Sequence, residues 1–301
     1  MRDARRVAVA LLSAALVAEV YSPDAAATIV YADEFAVVRD GTIILDDSFN
    51  RNTLLNGGSG TLGVPSGTTF SDGTAATYFV QGSIPETTAN NGQAQFNTAN
   101  GFLIHQSPPN IPLIQNVNLG ITTGTDPAGA HALTPANTFS AIGLFDVAVP
   151  SVILGTYQWY IGNNTNIPGR ILHLRVRQTD TGPVLQLQLL DNVTHQSTII
   201  SEVALTSAEL ADPQLELEFS HSANTDVITA SYAFGSGNTL LSFNGTLTPL
   251  GSTDSSTDIF TSTKQFAQPG FEAFDPVPEP SSLVILALAL GGLGVFRRYA
   301  R

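Results

Sequence analysis

The chain has 301 residues, a formal net charge of −13, 12% charged residues and no cysteine. Its negative field excludes a protein that holds nucleic acid by the phosphate backbone, and the missing thiols exclude disulfide scaffolds and cysteine-ligated zinc or iron–sulfur sites. With 43% hydrophobic residues the chain is a folding one, long enough for one large β domain or two small ones.

The first segment reads as a secretory signal peptide. Arg2, Arg5 and Arg6 make a positive start, residues 7–18 are apolar, and Ala25-Ala26-Ala27 offers a small-x-small cleavage site. The apolar run is only ~18 Å long as a helix, too short for a ~30 Å hydrocarbon core. Residues 1–27 are therefore assigned to the leader, with the translocon and signal peptidase as partners and Thr28 as the mature start. Residues 28–276 then hold six basic and 21 acidic side chains, a net charge of −15.

The mature stretch predicts a single antiparallel all-β domain, residues 28–276, with a β-sandwich starting near residue 42. Residues 42–45 and 139–147 read as strands. Between them, residues 51–135 are rich in Gly, Thr, Asn, Ser and Pro, with short apolar pieces at 78–80 and 102–104. Further on, Leu172, Leu174 and Val176 alternate with His173, Arg175 and Arg177. Leu185, Leu187 and Leu189 alternate with Gln186 and Gln188, and Leu215, Leu217 and Phe219 with Glu216 and Glu218. Period two with apolar residues on one side is a half-buried strand. Turn clusters at 179–183, 221–226 and 235–238 separate the runs and imply hairpins. Residues 227–234 and 239–247 read as two more strands, and 206–211 as a short helix stopped by Asp212-Pro213. No fixed-period repeat is present, which argues against propellers and solenoids.

Asp46-Asp47-Ser48-Phe49-Asn50-Arg51, then Leu54-Leu55-Asn56-Gly57, resembles the opening strand of concanavalin A-like jelly-roll domains; Phe271-Glu272-Ala273-Phe274-Asp275 resembles their closing strand. Phe70 stands near the place where that family often has tryptophan. The resemblance implies a jelly roll in which the first and last strands lie side by side. Such pairing would let Asp46, Asp47 and Asp275 converge on calcium; the alternative is that these acids merely end strands on an acidic surface. Related glucanases carry two glutamates around an aspartate on one strand. Here only Glu216-Leu217-Glu218 is offered, and a solvated strand face paired with Arg175 or Arg177 explains it better.

Other chemistry is sparse. No Gly-x-Ser-x-Gly motif occurs, and His105, His131, His173, His195 and His221 sit in unrelated contexts expected to be exposed or in turns. Tyr157, Trp159 and Tyr160 beside Asn163-Asn164-Thr165-Asn166 suit glycan stacking, although Tyr157 and Trp159, two apart on a strand, equally suit the core. The basic row His173, Arg175, Arg177 suits an acidic sugar or an ordinary exposed face. No catalytic set or cofactor is assigned. The readings left open are a non-catalytic surface or matrix protein, a glycan-binding module and a divergent glycoside hydrolase.

The last segment, residues 277–301, begins with the motif at 277–280 that contains Pro278-Glu279-Pro280. An apolar stretch at 281–296 follows, and the chain closes on Arg297, Arg298 and Arg301. This resembles the PEP-CTERM sorting signal of exported bacterial proteins. The resemblance implies recognition by an exosortase, a transient inner-membrane anchor, and delivery to the cell envelope or to a matrix of exopolysaccharide. Sixteen residues make a marginal span of ~24 Å, and the terminal arginines favour a cytoplasmic end. The prolines hold the chain extended ahead of the membrane.

Overall fold

The computed structural model describes residues 29–48, 53–54, 69–82, 95–99, 102–106, 117–122, 129–150, 155–162, 170–191, 194, 196–237, 239–260 and 267–274. The expected signal peptide, Asp275, the sorting motif and the expected span at 281–296 lie outside the described residues.

The described chain is all-β, in two antiparallel sheets. The larger has nine strands. Its order is β15 (Thr248–Asp254), β14 (Val227–Gly235), β13 (Gln214–His221), β8 (Phe139–Asp146), β1 (Ile29–Arg39), β6 (Phe102–Gln106), β5 (Gln95–Ala99) and β3 (Thr53–Leu54), with β2 (Thr42–Asp47) also paired to β1. The smaller has seven strands, in the order β12 (Ser197–Ala204), β11 (Gly182–Asp191), β10 (Arg170–Thr179), β9 (Thr156–Gly162), β16 (Gln268–Phe274), β7 (Val117–Thr122) and β4 (Thr77–Gly82).

One apolar cluster draws on both sheets. Phe35 of β1 lies 4.8 Å from the Trp159 ring of β9 and 6.3 Å from Phe271 of β16, and Phe145 of β8 lies 5.2 Å from Phe271. The Trp159 Nε1–H donates to the Ala141 carbonyl at 3.0 Å, a bond from one sheet to the other. Burying these rings removes the largest apolar surfaces from water, and the indole N–H keeps a partner inside.

The alternating runs at 172–176, 185–189 and 215–219 form β10, β11 and β13, with Leu172, Leu174, Val176, Leu185, Leu187, Leu215, Leu217 and Phe219 in the core. Hairpin β10–β11 turns through Asp180-Thr181, with Gly182 at φ 127°. That value is open to glycine and strained for other residues.

Four expectations are corrected. The strands begin at Ile29, not near residue 42, because β1 precedes the Asp40-Gly41 turn. A bulge between Ala32 and Glu34 breaks its period of two, so Ala32 and Phe35 both reach the core three positions apart. Residues 239–247 are not a strand: Leu240–Ser242 is a 3-10 turn capped by Thr239, and Leu241 is 87% exposed, so no apolar face is buried there. The short helix at 206–211 shrinks to a 3-10 turn at Glu209–Ala211, fixed by Thr206 and Glu209 bonding each other. The terminal strands are not neighbours. The strands at both ends of the opening hairpin, β1 and β2, lie in the nine-stranded sheet, and β16 lies in the seven-stranded one between β9 and β7.

Candidate functional site

The strand carrying the aromatic trio resolves it into two faces. Tyr157 and Trp159 are 0% exposed in the shared core. A ring enclosed on that side cannot stack on a sugar, so the stacking role expected of Trp159 gives way to packing. Tyr160 points the other way and is 1% exposed. Its register neighbours are His173 on β10 and Gly270 on β16.

On this outer face of the seven-stranded sheet, Gln158, Arg175, Gln186 and Glu202 form a polar row across β9, β10, β11 and β12, and the backbone register continues that row through Glu272, Asn118 and Gln81. Arg175 Nε donates to Gln186 Oε1 at 2.8 Å, and Gln186 Nε2 donates onward to the Glu202 carboxylate. The guanidinium charge is thus relayed through an amide to an acid two strands away, which is how a buried charge remains tolerable. His173 is pushed down to about 3 by burial and by the Arg175 charge, so it is a neutral imidazole. The expected exposed basic row is therefore corrected: His173 and Arg175 are 4% and 6% exposed. His221 is likewise enclosed, held by the carbonyls of Asn137 and Thr225 at 2.8 and 2.9 Å.

The outer face of the nine-stranded sheet is acidic. Glu216 and Glu218 share it, each 9% exposed. Arg175 and Arg177 belong to the other sheet, so the expected pairing with them does not form. Ser140 Oγ instead donates to Glu218 Oε1 at 2.5 Å. Burial and the Glu218 charge push Glu216 up to about 7. Sequence reasoning passed over the neighbours that make this face unusual. Glu34 lies in the same cross-strand row as Glu216, with Leu144 between them. Burial and a hydrogen bond with Asp46 push Glu34 up to about 8; burial pushes Asp33 up to about 6, with Asp146 adding to it. The available signal was the Asp33-Glu34 pair inside an apolar run, an acidic interruption that a bulge explains.

Carboxyls that keep protons near neutrality have the chemistry of general acids. Here they are covered: the Leu240 N–H of the 3-10 turn donates to Glu34 Oε2 at 2.7 Å, and Gly237 N–H donates to Gln214 Oε1 at 2.7 Å.

The calcium expectation loses its premise. Asp46 lies on the outer face beside Glu34, whereas Asp47 pairs with Phe35 and is 2% exposed. Adjacent residues of a strand point to opposite sides. Asp275 is outside the described residues, and β2 and β16 are in different sheets. Among the described residues no group of three or more His, Asp or Glu is placed to hold a metal ion.

The decisive observation lies beyond the sheets. Residues 276–301 match the family model of the PEP-CTERM protein-sorting motif. The match takes in Pro278, Glu279, Pro280, Arg297 and Arg298, the residues singled out in the sequence. A PEP-CTERM motif marks an exported protein processed by an exosortase. No curated protein and no solved structure matches the chain. Among the described residues no helix is long and apolar enough to cross a membrane.

Proposed function

We propose that the chain is a non-catalytic envelope or extracellular-matrix protein, delivered by its PEP-CTERM motif and associated with exopolysaccharide. The match at residues 276–301 carries the reading. The membrane stretch at 281–296 serves as a transient inner-membrane anchor until the exosortase acts near Pro278-Glu279-Pro280. The mature domain is a two-layer β-sandwich, the architecture that a core shared by two sheets supports. Its non-catalytic character is supported by the enclosure of Glu34, which the Leu240–Ser242 turn covers and bonds. Replacing Pro278-Glu279-Pro280 with three alanines is expected to leave an uncut precursor in the inner-membrane fraction; normal processing of that variant would remove the proposal.

A glycan-binding reading has the chemistry of one face in its favour: Tyr160, Gln158, Arg175 and Gln186 share it, but at 1–6% exposed they could bond sugar hydroxyls only if that face opened. Retention of the purified protein on its host's exopolysaccharide, competed by the free polymer, would support it. The glycoside hydrolase reading requires turnover of a polysaccharide that disappears in Glu216→Gln.

A further inference from the structure

On the outer face of the nine-stranded sheet, four carboxyls from three strands stand in two pairs. The bulge in β1 displaces Asp33 toward Asp146 of β8, to which it is hydrogen-bonded; the next residue, Glu34, is hydrogen-bonded to Asp46 of β2. Two carboxyl groups can bond each other only while one keeps its proton, since carboxylates are acceptors alone. The same side chains seat the 236–245 segment. Gln214 Nε2 donates to Asp33 Oδ2 at 2.5 Å while its Oε1 takes the Gly237 N–H, and Glu34 takes the Leu240 N–H. The surrounding groups offer no relief. β13 presents Glu216 and Glu218, residues 235–247 contain no charged side chain, and β6 places His105 opposite Val30.

We propose that these two proton-sharing pairs form a pH-sensitive latch, which holds β1 to β2 and β8 and keeps the 236–245 segment seated in acid, and which loosens as the pH rises. Loss of the shared protons leaves like charges in contact around the buried Glu34, with Asp33 and Asp146 half-buried and Asp46 at the exposed edge. The sign follows from the direction of the shifts. Both Asp33 and Glu34 hold their protons more tightly in the folded chain, so the stabilisation is complete below the ordinary carboxylate range. It is then lost in steps as the pH climbs through about 6 and about 8. The domain is thereby matched to an acidic exterior, and at neutral pH it keeps the Glu34 pair alone.

The test is thermal unfolding of the full chain in mild detergent at pH 5 and pH 9. The melting temperature of the wild type is expected to fall by roughly 5–10 °C. In the double variant Asp46→Asn/Asp146→Asn the fall should be at most half as large, because an amide donates to its neighbour at either pH. A control that changes charge equally at exposed positions, Asp180→Asn/Asp226→Asn, should keep the wild-type slope. Equal slopes in all three proteins, or no fall in the wild type, would overturn the latch. Should the double variant not fold, amide exchange of the wild type decides. Corrected protection of β1, β2 and Leu240 should drop at least tenfold between pH 5 and pH 8.5 while β10 and β11 hold theirs; a uniform or absent change would overturn it.

Discussion

Trp159 shows how one residue supports opposite readings until its surroundings are known. Beside an asparagine-rich loop it has the chemistry of a sugar platform. In the fold it touches Phe35 and Phe145 and bonds the Ala141 carbonyl of the other sheet. Truncating such a ring leaves a cavity that packed neighbours cannot fill, so Trp159→Ala is expected to cost about 3–5 kcal/mol. Trp159→Phe, which keeps most of the ring and loses the N–H bond, should cost about 1–2 kcal/mol. Chemical denaturation checks both, and a loss under about 1 kcal/mol for the alanine variant would remove Trp159 from the core. Gly143 carries a related constraint. A Cβ there would sit 2.6 Å from Phe145 Cε2 and 3.3 Å from Trp159 Cδ2. Gly143→Ala is expected to destabilise by about 1–3 kcal/mol, read by the same measurement, because the rings it would displace are locked against β9 and β16. The role of Trp159 does not show in the local sequence, since its partners come from strands more than ten residues away; Gly143 is limited by Phe145 of its own strand, whose ring is held in place by residues of the other sheet.

At the scale of elements, strict alternation was the reliable signal. Strands β10, β11 and β13 alternate without a break, and their apolar members are the ones that face the core. Strand β1 was missed because its bulge puts two core residues, Ala32 and Phe35, out of phase with each other. Residues 239–247 read as a strand because Leu, Phe and Thr are frequent there, yet Gly235-Ser236-Gly237 and Gly245 let the chain fold back on itself. Ser236 N–H bonds Asn244 Oδ1 at 2.9 Å across that loop. The closing strand β16 has the largest consequence. It is bonded on both edges, to β9 and to β7, and carries Phe271 into the core. A chain ending at residue 266 therefore lacks the strand that joins β7 and β4 to the rest of their sheet. It should show neither a cooperative unfolding transition nor near-ultraviolet dichroism, whereas a chain ending at 276 should show both. Cooperative unfolding of the shorter chain would mean that the sheet closes without β16.

At the scale of the whole molecule, the strand that completes the fold ends at Phe274, and the sorting motif begins within a few residues of it. If the sheet requires β16, the domain finishes folding only after residue 274 has been exported. The leader should by then be gone, and N-terminal sequencing of the exported protein is expected to begin at Thr28; material still starting at Met1 would refute the leader assignment. The sorting signal is written in contiguous residues, Pro-Glu-Pro, an apolar run and arginines, and the expected leader has the same character: a basic start, an apolar run and three alanines. Such signals are read by enzymes that meet an extended chain, so order and spacing along the sequence suffice. The sequence by itself also determined the fold class, because period two depends only on successive side chains pointing to opposite faces. Beyond the hairpins β10–β11 and β13–β14, which the turn clusters at 179–183 and 221–226 imply, tertiary structure alone decided which strands are neighbours, and with that the fate of each candidate site. It separated Asp46 from the closing strand, turned Trp159 inward, enclosed Arg175 with Gln186 and Glu202, and brought Glu34 beside Asp46 and Asp33 beside Asp146. Strand order is set by which apolar faces bury each other best over the whole chain, a quantity that no local window contains.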